Sequence, residues 1–236
     1  MIGADRVDTA VFDVDGTLVD TNYHHALAWY RAFRGLDIVL PVWRLHRAIG
    51  MGGDNLVAHV AGDEVEERLG SDLRDAWEKE FNLLVPEVSA FADARDLLAE
   101  VKDRGFRLVL ASSGKGEHTE HFLDLLGGTH IADAWTTSDD VERTKPDPDL
   151  LTVATGKVGG EVAVVIGDSV WDFRAARRAG LAGHAVRTGG FSAAELRDSG
   201  ALGVYDSLPD LHADLDRIVG ESDPAGVDAE ASYGRA

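Results

Sequence analysis

The chain has 236 residues, of which 44% are apolar, and a formal charge of −19 with no cysteine. That length holds one large α/β domain, or a core of about 150 residues with a smaller insert. Disulfides, thiolate catalysis and zinc-thiolate sites are excluded, and the acidic excess argues against nucleic acid, whose phosphates are bound by concentrated Lys and Arg. No apolar run reaches the ~20 residues that span a bilayer. The amino terminus lacks a basic patch followed by an apolar stretch, so neither a signal peptide nor a membrane partner is expected, and a cytoplasmic location is.

The first predicted element is a buried strand over 7–14, running straight into Asp15-Gly16-Thr17. Residues two apart in a strand share a side, so Asp13 and Asp15 can both face a crevice beyond the sheet edge. Two carboxylates so close repel each other unless a divalent cation sits between them or one holds a proton. An acidic strand end entering a turn is the purely structural alternative. Asp20-Thr21-Asn22 then signals a helix start, followed by helical segments over 23–33, 43–49, 54–61 and 63–84. No strand pattern appears between Leu18 and Val85. The block 21–86 is therefore predicted to be a helical cap inserted into a core made of 1–20 and 87–220, with Pro86 at the return hinge.

Regular alternation resumes with a helix over 91–104, a strand over 107–111 ending at Ser112-Ser113-Gly114-Lys115, and a helix over 117–126. A short strand near 134–137, Thr144-Lys145-Pro146 and a helix over 148–158 follow. The strand 162–166 ends in Gly167-Asp168-Ser169, and a helix over 170–179 closes at Gly180. Shorter strand/helix pairs finish near Val219, and 221–236, small and polar, is predicted to be a disordered tail. Apolar strands alternating with helices imply an α/β, Rossmann-like, doubly wound parallel sheet. Ligands then sit beyond the carboxyl ends of the strands, where Asp13, Asp15, Ser112, Lys145, Asp168 and Asp172 all fall.

Asp168 tops a central strand, and Asp172 lies one helical turn later on the same face. With Asp13 they make an oxygen-only cluster suited to a hard cation, Mg²⁺ first; capping of the following helix by Asp168 is the compatible structural role. Ser112 offers a hydroxyl, and Gly114 lets backbone N–H groups approach an anion at a helix start. Lys145, before a proline, suits a fixed point charge.

D-V-D-G-T, the strand ending in Ser112, T-K-P-D-P-D and V-I-G-D-S-x-x-D occur in the order of the haloacid-dehalogenase-like hydrolase superfamily, and together span residues 7–190. The helical insert resembles that of the phosphoglycolate-phosphatase and β-phosphoglucomutase group. The resemblance implies that Asp13 is the nucleophile, forming an aspartyl-phosphate, and that Asp15 protonates the leaving oxygen and then activates water. Ser112, the Ser113 amide and Lys145 would hold the phosphoryl group. Asp13, the Asp15 carbonyl, Asp168 and Asp172 would serve Mg²⁺. Gly16, Thr17, Gly114, Lys115, His25 and Arg47 are further expected contacts to a small-molecule phosphate ester.

Asp15 favours phosphate chemistry over dehalogenation, which has no leaving alcohol to protonate. The cap stretch 48–55 lacks the arginine that mutases use for a second phosphate, whereas His25 and Lys115 match residues of that group. A phosphatase, as a monomer or homodimer, is the expectation; a β-phosphoglucomutase-like phosphotransferase and a non-enzymatic phosphate-ester-binding protein are the alternatives. Tyr23, His25, Arg44, His46, Arg47, the loop 50–53 and Lys79 are the cap residues from which substrate selection is expected. Trp29, Phe33 and Trp77 read as core, and His118 and His121 as surface positions on a helix.

Overall fold

In a computed structural model, residues 7–219 are described; the predicted tail over 221–236 and the first six residues lie outside them. Six parallel strands form one sheet in the order β3-β2-β1-β4-β5-β6. They are β1 (Thr9–Phe12), β2 (Arg107–Ala111), β3 (Ala134–Thr136), β4 (Ala163–Gly167), β5 (Ala182–Val186) and β6 (Gly203–Tyr205). The first strand is central: Phe12 registers with Leu110 of β2 on one side and Ile166 of β4 on the other. The strand order therefore reverses at β1, which opens a crevice at its carboxyl end.

The alternation of side chains explains why both faces are covered. Ala10, Phe12, Leu108, Leu110, Val164 and Ile166 point into the larger hydrophobic cluster. Val11, Val109, Ala111, Ala163 and Val165 point the other way, onto Leu150, Leu151, Ala154, Ala175 and Ala176. β1 pairs over four residues only, shorter than the predicted 7–14, so both acids lie beyond the ladder.

Between β1 and the next core helix the described chain carries helices α1 (Asn22–Gly35), α2 (Val42–His46), α3 (Gly53–Ala61) and α4 (Asp63–Leu84). Gly62, at φ 91°, breaks α3 from α4, and Asp63, Glu64 and Glu66 suit the positive start of α4. Leu73, Trp77 and Phe81, spaced four apart, bury one stripe of α4. Trp77 stacks on Trp29 at 5.4 Å and on Phe81 at 5.3 Å. The two connections of this insert run side by side: Asp20 N–H donates to Ser89 O and Phe91 N–H to Leu18 O, both at 2.9 Å. Pro86 falls in a short 3₁₀ turn just before them.

The remaining helices are α5 (Ala94–Asp103), α6 (Gly116–Leu126), α7 (Asp149–Val158), α8 (Val170–Ala179), α9 (Ala193–Ser199), α10 (Leu208–Ala213) and α11 (Leu215–Ile218). The predicted helix over 91–104 starts three residues later because Asp93 adopts φ 71°. No helix among the described residues is long and apolar enough to cross a membrane.

His212 of α10 ties down α5: Nδ1 lies 2.7 Å from Asp93 and Nε2 2.7 Å from Glu100, which Arg104 also grips. Burial alone lowers the His212 pKa, but the two carboxylates outweigh it and the net shift is upward. A raised folded-state pKa gives stability that is complete below the ordinary histidine value and lost as pH rises through the raised one. His212→Gln is therefore expected to differ most from wild type in urea melts at about pH 5.5 and to converge with it by about pH 8.5. A gap that widens with pH would reject the ion pairs as its source.

Candidate active site

Asp13 leaves the end of β1 with its N–H donated to Ile166 O at 2.8 Å, so the sheet itself fixes its position. The loop after β3 brings in Lys145, whose Nζ binds Asp13 Oδ1 and lies 2.7 Å from Asp172 Oδ1 as an ion pair. Thr17 Oγ1 reaches Asp13 Oδ2 at 3.2 Å and Asp168 Oδ1 at 2.9 Å, and Asn22 Nδ2 donates to Asp168 Oδ2 at 2.8 Å. Asp172 Oδ2 accepts from Ser169 N and Oγ, which sets the first turn of α8. Asp13, Lys145, Asp168 and Asp172 are each at most 4% exposed.

Three buried carboxylates thus face one ammonium. Burial and the neighbouring acids push Asp13 up against the pull of Lys145, and burial with Asp172 pushes Asp168 up to about 7. For Lys145 burial works downward, but Asp13 and Asp172 reverse it and hold the ammonium charged. Oxygens of Asp13, Asp168 and Asp172 lie within 4.8 Å of one another. That excess of negative charge, built from oxygen alone, fits a hard divalent cation. The backbone closes tightly around it: a Cβ on Gly189 would fall 2.1 Å from Asp168 Oδ2.

Asp15 turns to a different set of partners. Gly16 follows at φ 79°, where a Cβ would strike Asn22 at 2.2 Å, so glycine is required at this turn. Asp15 Oδ1 lies 3.0 Å from His25 Nε2 of α1, and Oδ2 accepts from Ser112 Oγ at 2.7 Å. Burial raises the Asp15 pKa, but these hydrogen bonds and the His25 charge outweigh it and hold it below the usual carboxylate value. Ser112 Oγ in turn accepts from Gly114 N–H at 2.9 Å. The environments of Asp13 and Asp15 accordingly push their protonation apart, the arrangement that lets two acids take different roles.

Both acids open onto a cavity of about 250 Å³ between the sheet end and the helical insert. The insert clasps the loop that carries Lys145. Gly52 N–H donates to Thr144 Oγ1 at 3.1 Å, Thr144 N–H donates to Asp54 at 3.1 Å, and Asn55 Nδ2 donates to Thr144 O at 3.3 Å. A Cβ on Gly52 would meet Thr144 Oγ1 at 2.2 Å.

The sequence profile of the haloacid dehalogenase-like hydrolases matches residues 10–186, which takes in all of these acids. The chain belongs to the haloacid dehalogenase-like hydrolase family. It is 27% identical to validoxylamine A 7'-phosphate phosphatase of Streptomyces hygroscopicus subsp. limoneus, over 73% of this chain and 82% of that one. It is 28% identical to a phosphoglycolate phosphatase of Cereibacter sphaeroides, over 85% and 95%. Among solved structures, a hydrolase from Pseudomonas syringae superposes with a TM-score of 0.85 at 33% identity, covering 89% of this chain and 99% of that one.

Within this hydrolase fold the sequence-derived candidates separate. Asp13, Asp15, His25, Ser113, Gly114 and Lys115 line the cavity, and Ser113 Oγ has no hydrogen-bond partner among the described residues. Ser112, Lys145, Asp168 and Asp172 stand directly behind them. Thr17 is wholly buried and holds the acids, and the Gly16 carbonyl accepts from Thr188 Oγ1. Arg47 lies elsewhere, paired with Glu195 and 4.0 Å over the Phe191 ring. Arg44 and Lys79 are exposed, while Trp29 and Trp77 are buried and also line the cavity.

His118 is a correction. Only 4% exposed, it gives Nε2 to Asn82 at 2.7 Å and packs edge-on to Phe81, because α6 docks against α4; His121 is exposed as expected. Asn22, Thr144, Asp54 and Arg74 carry no site signal of their own in the sequence. Asn22 signals a helix start and Arg74 a helix face, and only packing shows what each touches.

Proposed function

We propose that the protein is a Mg²⁺-dependent phosphatase that hydrolyses a small phosphate ester through an aspartyl-phosphate on Asp13. Its kinship with named hydrolases and phosphatases supports phosphate-ester chemistry. The observation that carries the finer reading is Asp13 fixed beside Lys145 and two further carboxylates, with Asp15 across the same cavity.

In the first step an Asp13 oxygen bonds to phosphorus as the bond to the substrate oxygen breaks, and Asp15 gives that oxygen its proton. The hydrogen bonds to Asp15 favour its ionised form in the free enzyme, and a phosphate dianion arriving beside it raises its pKa towards the acid it must be. In the second step a water oxygen bonds to phosphorus, Asp15 takes the water proton, and the bond to Asp13 breaks. Lys145 offsets charge on the transferring group, while Ser112, through Asp15 and Gly114, orders the acid and the loop. Asp13, Asp168 and Asp172 would hold Mg²⁺, with the Asp15 carbonyl as a further contact, and the ion when bound neutralises the anionic partners. Residues 21–86 form the cap on this reading, excluding water when the Thr144 clasp is closed.

Phosphate release from p-nitrophenyl phosphate with Mg²⁺ tests this, and an excess of chelator is expected to stop it. Turnover that survives chelation would sink the cation assignment. Independently of activity, Mg²⁺ at about a hundred times its Kd is expected to add about 2.7 kcal/mol of stability in urea melts. The gain should disappear in Asp168→Asn.

A further inference from the structure

Trp29, Trp77, Ile49, Met51 and Val141 form an apolar part of the cavity wall. Two cationic side chains line the cavity outside the catalytic cluster, and both are already paired. Arg74 donates to Gly53 O at 3.0 Å and grips Glu66 at 2.9 and 3.0 Å. Lys115 Nζ lies 2.7 Å from Glu78 of α4. Two acids line the same cavity, and no ion pair joins either of them to a cation among the described residues. Among the described residues Asp54 accepts from the neutral donors of Thr144 and Asn55, and Glu142 is exposed and lines the cavity.

An anionic leaving group would leave water to face these carboxylates with no unpaired cation among the described cavity residues to receive it, which disfavours it. Ionised carboxylates only accept hydrogen bonds, so they match hydroxyl or ammonium donors. The apolar wall matches the C–H faces of a ring. A volume near the lower end of small-molecule sites, roughly 300 Å³, limits the ligand to a single ring.

Resting on the phosphatase reading above, we infer that the substrate is the monophosphate of a single-ring polyol, neutral or amine-bearing, and not a phosphorylated carboxylate or pyrophosphate. Selection comes from Asp54 and Glu142 and from the pairing of Arg74 and Lys115 within the protein, since a second anion finds no unpaired cation among the described cavity residues.

The test compares kcat/KM in Mg²⁺ for glucose 6-phosphate and glucosamine 6-phosphate with that for phosphoglycolate and pyrophosphate, with p-nitrophenyl phosphate as the reference for chemistry. The two sugar esters are expected to lead by about tenfold or more, the scale on which a pocket discriminates by polar partners. The same four compounds are titrated calorimetrically into Asp13→Asn, where binding is read without turnover, and the same order is expected. Glu142→Arg is expected to raise phosphoglycolate relative to glucose 6-phosphate by about tenfold. Phosphoglycolate or pyrophosphate leading in the wild type, an Asp13→Asn that does not separate the two classes, or an unchanged ratio in Glu142→Arg overturns the inference. If the wild type hydrolyses nothing, the reference included, while Asp13→Asn prefers sugar phosphates, the hydrolase reading falls and the substrate class stands.

Discussion

Asp13→Asn is expected to lower phosphate release by at least about 10⁴-fold, the scale seen when a covalent nucleophile is removed. The amide keeps the shape of the carboxylate, so the hydrogen bonds from Thr17 and the β4 backbone contact remain available. It also takes away one of three mutually repelling buried acids, while Lys145 keeps Asp172 as partner. The melting temperature is therefore expected to hold or rise as activity is lost. Measuring both on one preparation separates a chemical role from a structural one, since a variant that unfolds loses both together. Residual turnover near the wild-type rate would exclude Asp13 as the attacking group.

Lys145→Met is expected to have the largest effect on stability. Lys145 is 1% exposed and sits between Asp13 and Asp172, with Asp168 beside them. Breaking a buried ion pair by removing one partner costs about 3–5 kcal/mol, because the other charge stays buried and unpaired. Here the acids left behind have a second remedy. A divalent cation replaces the missing positive charge, so saturating Mg²⁺ is expected to recover a larger share of stability in Lys145→Met than it adds to the wild type. Turnover should stay about 10²- to 10³-fold low even then, since the cation does not restore the ammonium that, on the proposed mechanism, offsets charge on the phosphoryl group. Urea melts in chelator and in Mg²⁺ measure the first effect, and phosphate release the second. Equal stability of variant and wild type in chelator would mean that the acids are protonated at little cost, and the ion-pair account would fail.

The sequence and the folded chain contributed different parts of this picture. Strand and helix periods are local, so the parallel sheet, the helical insert and the acids at the ends of β1 and β4 were all legible from residue order alone. The motif around Asp13, the strand end at Ser112, and Asp168 with Asp172 needed only the rule that open α/β sheets collect their ligands at the carboxyl ends of strands. Partner choice between separate elements is not local. That Asn22 steadies Asp168, that His25 rather than a substrate meets Asp15, and that Thr144 is clasped by the insert follow from how α1 and α3 pack over the sheet. Arg47 and Arg74 show the difference most plainly. In sequence both are arginines on a helical insert. Packing pairs one with Glu195 away from the cavity, while the other, held by Glu66, lines it. A charge exposes its sign in the sequence, but whether it remains available depends on the carboxylate the fold sets beside it.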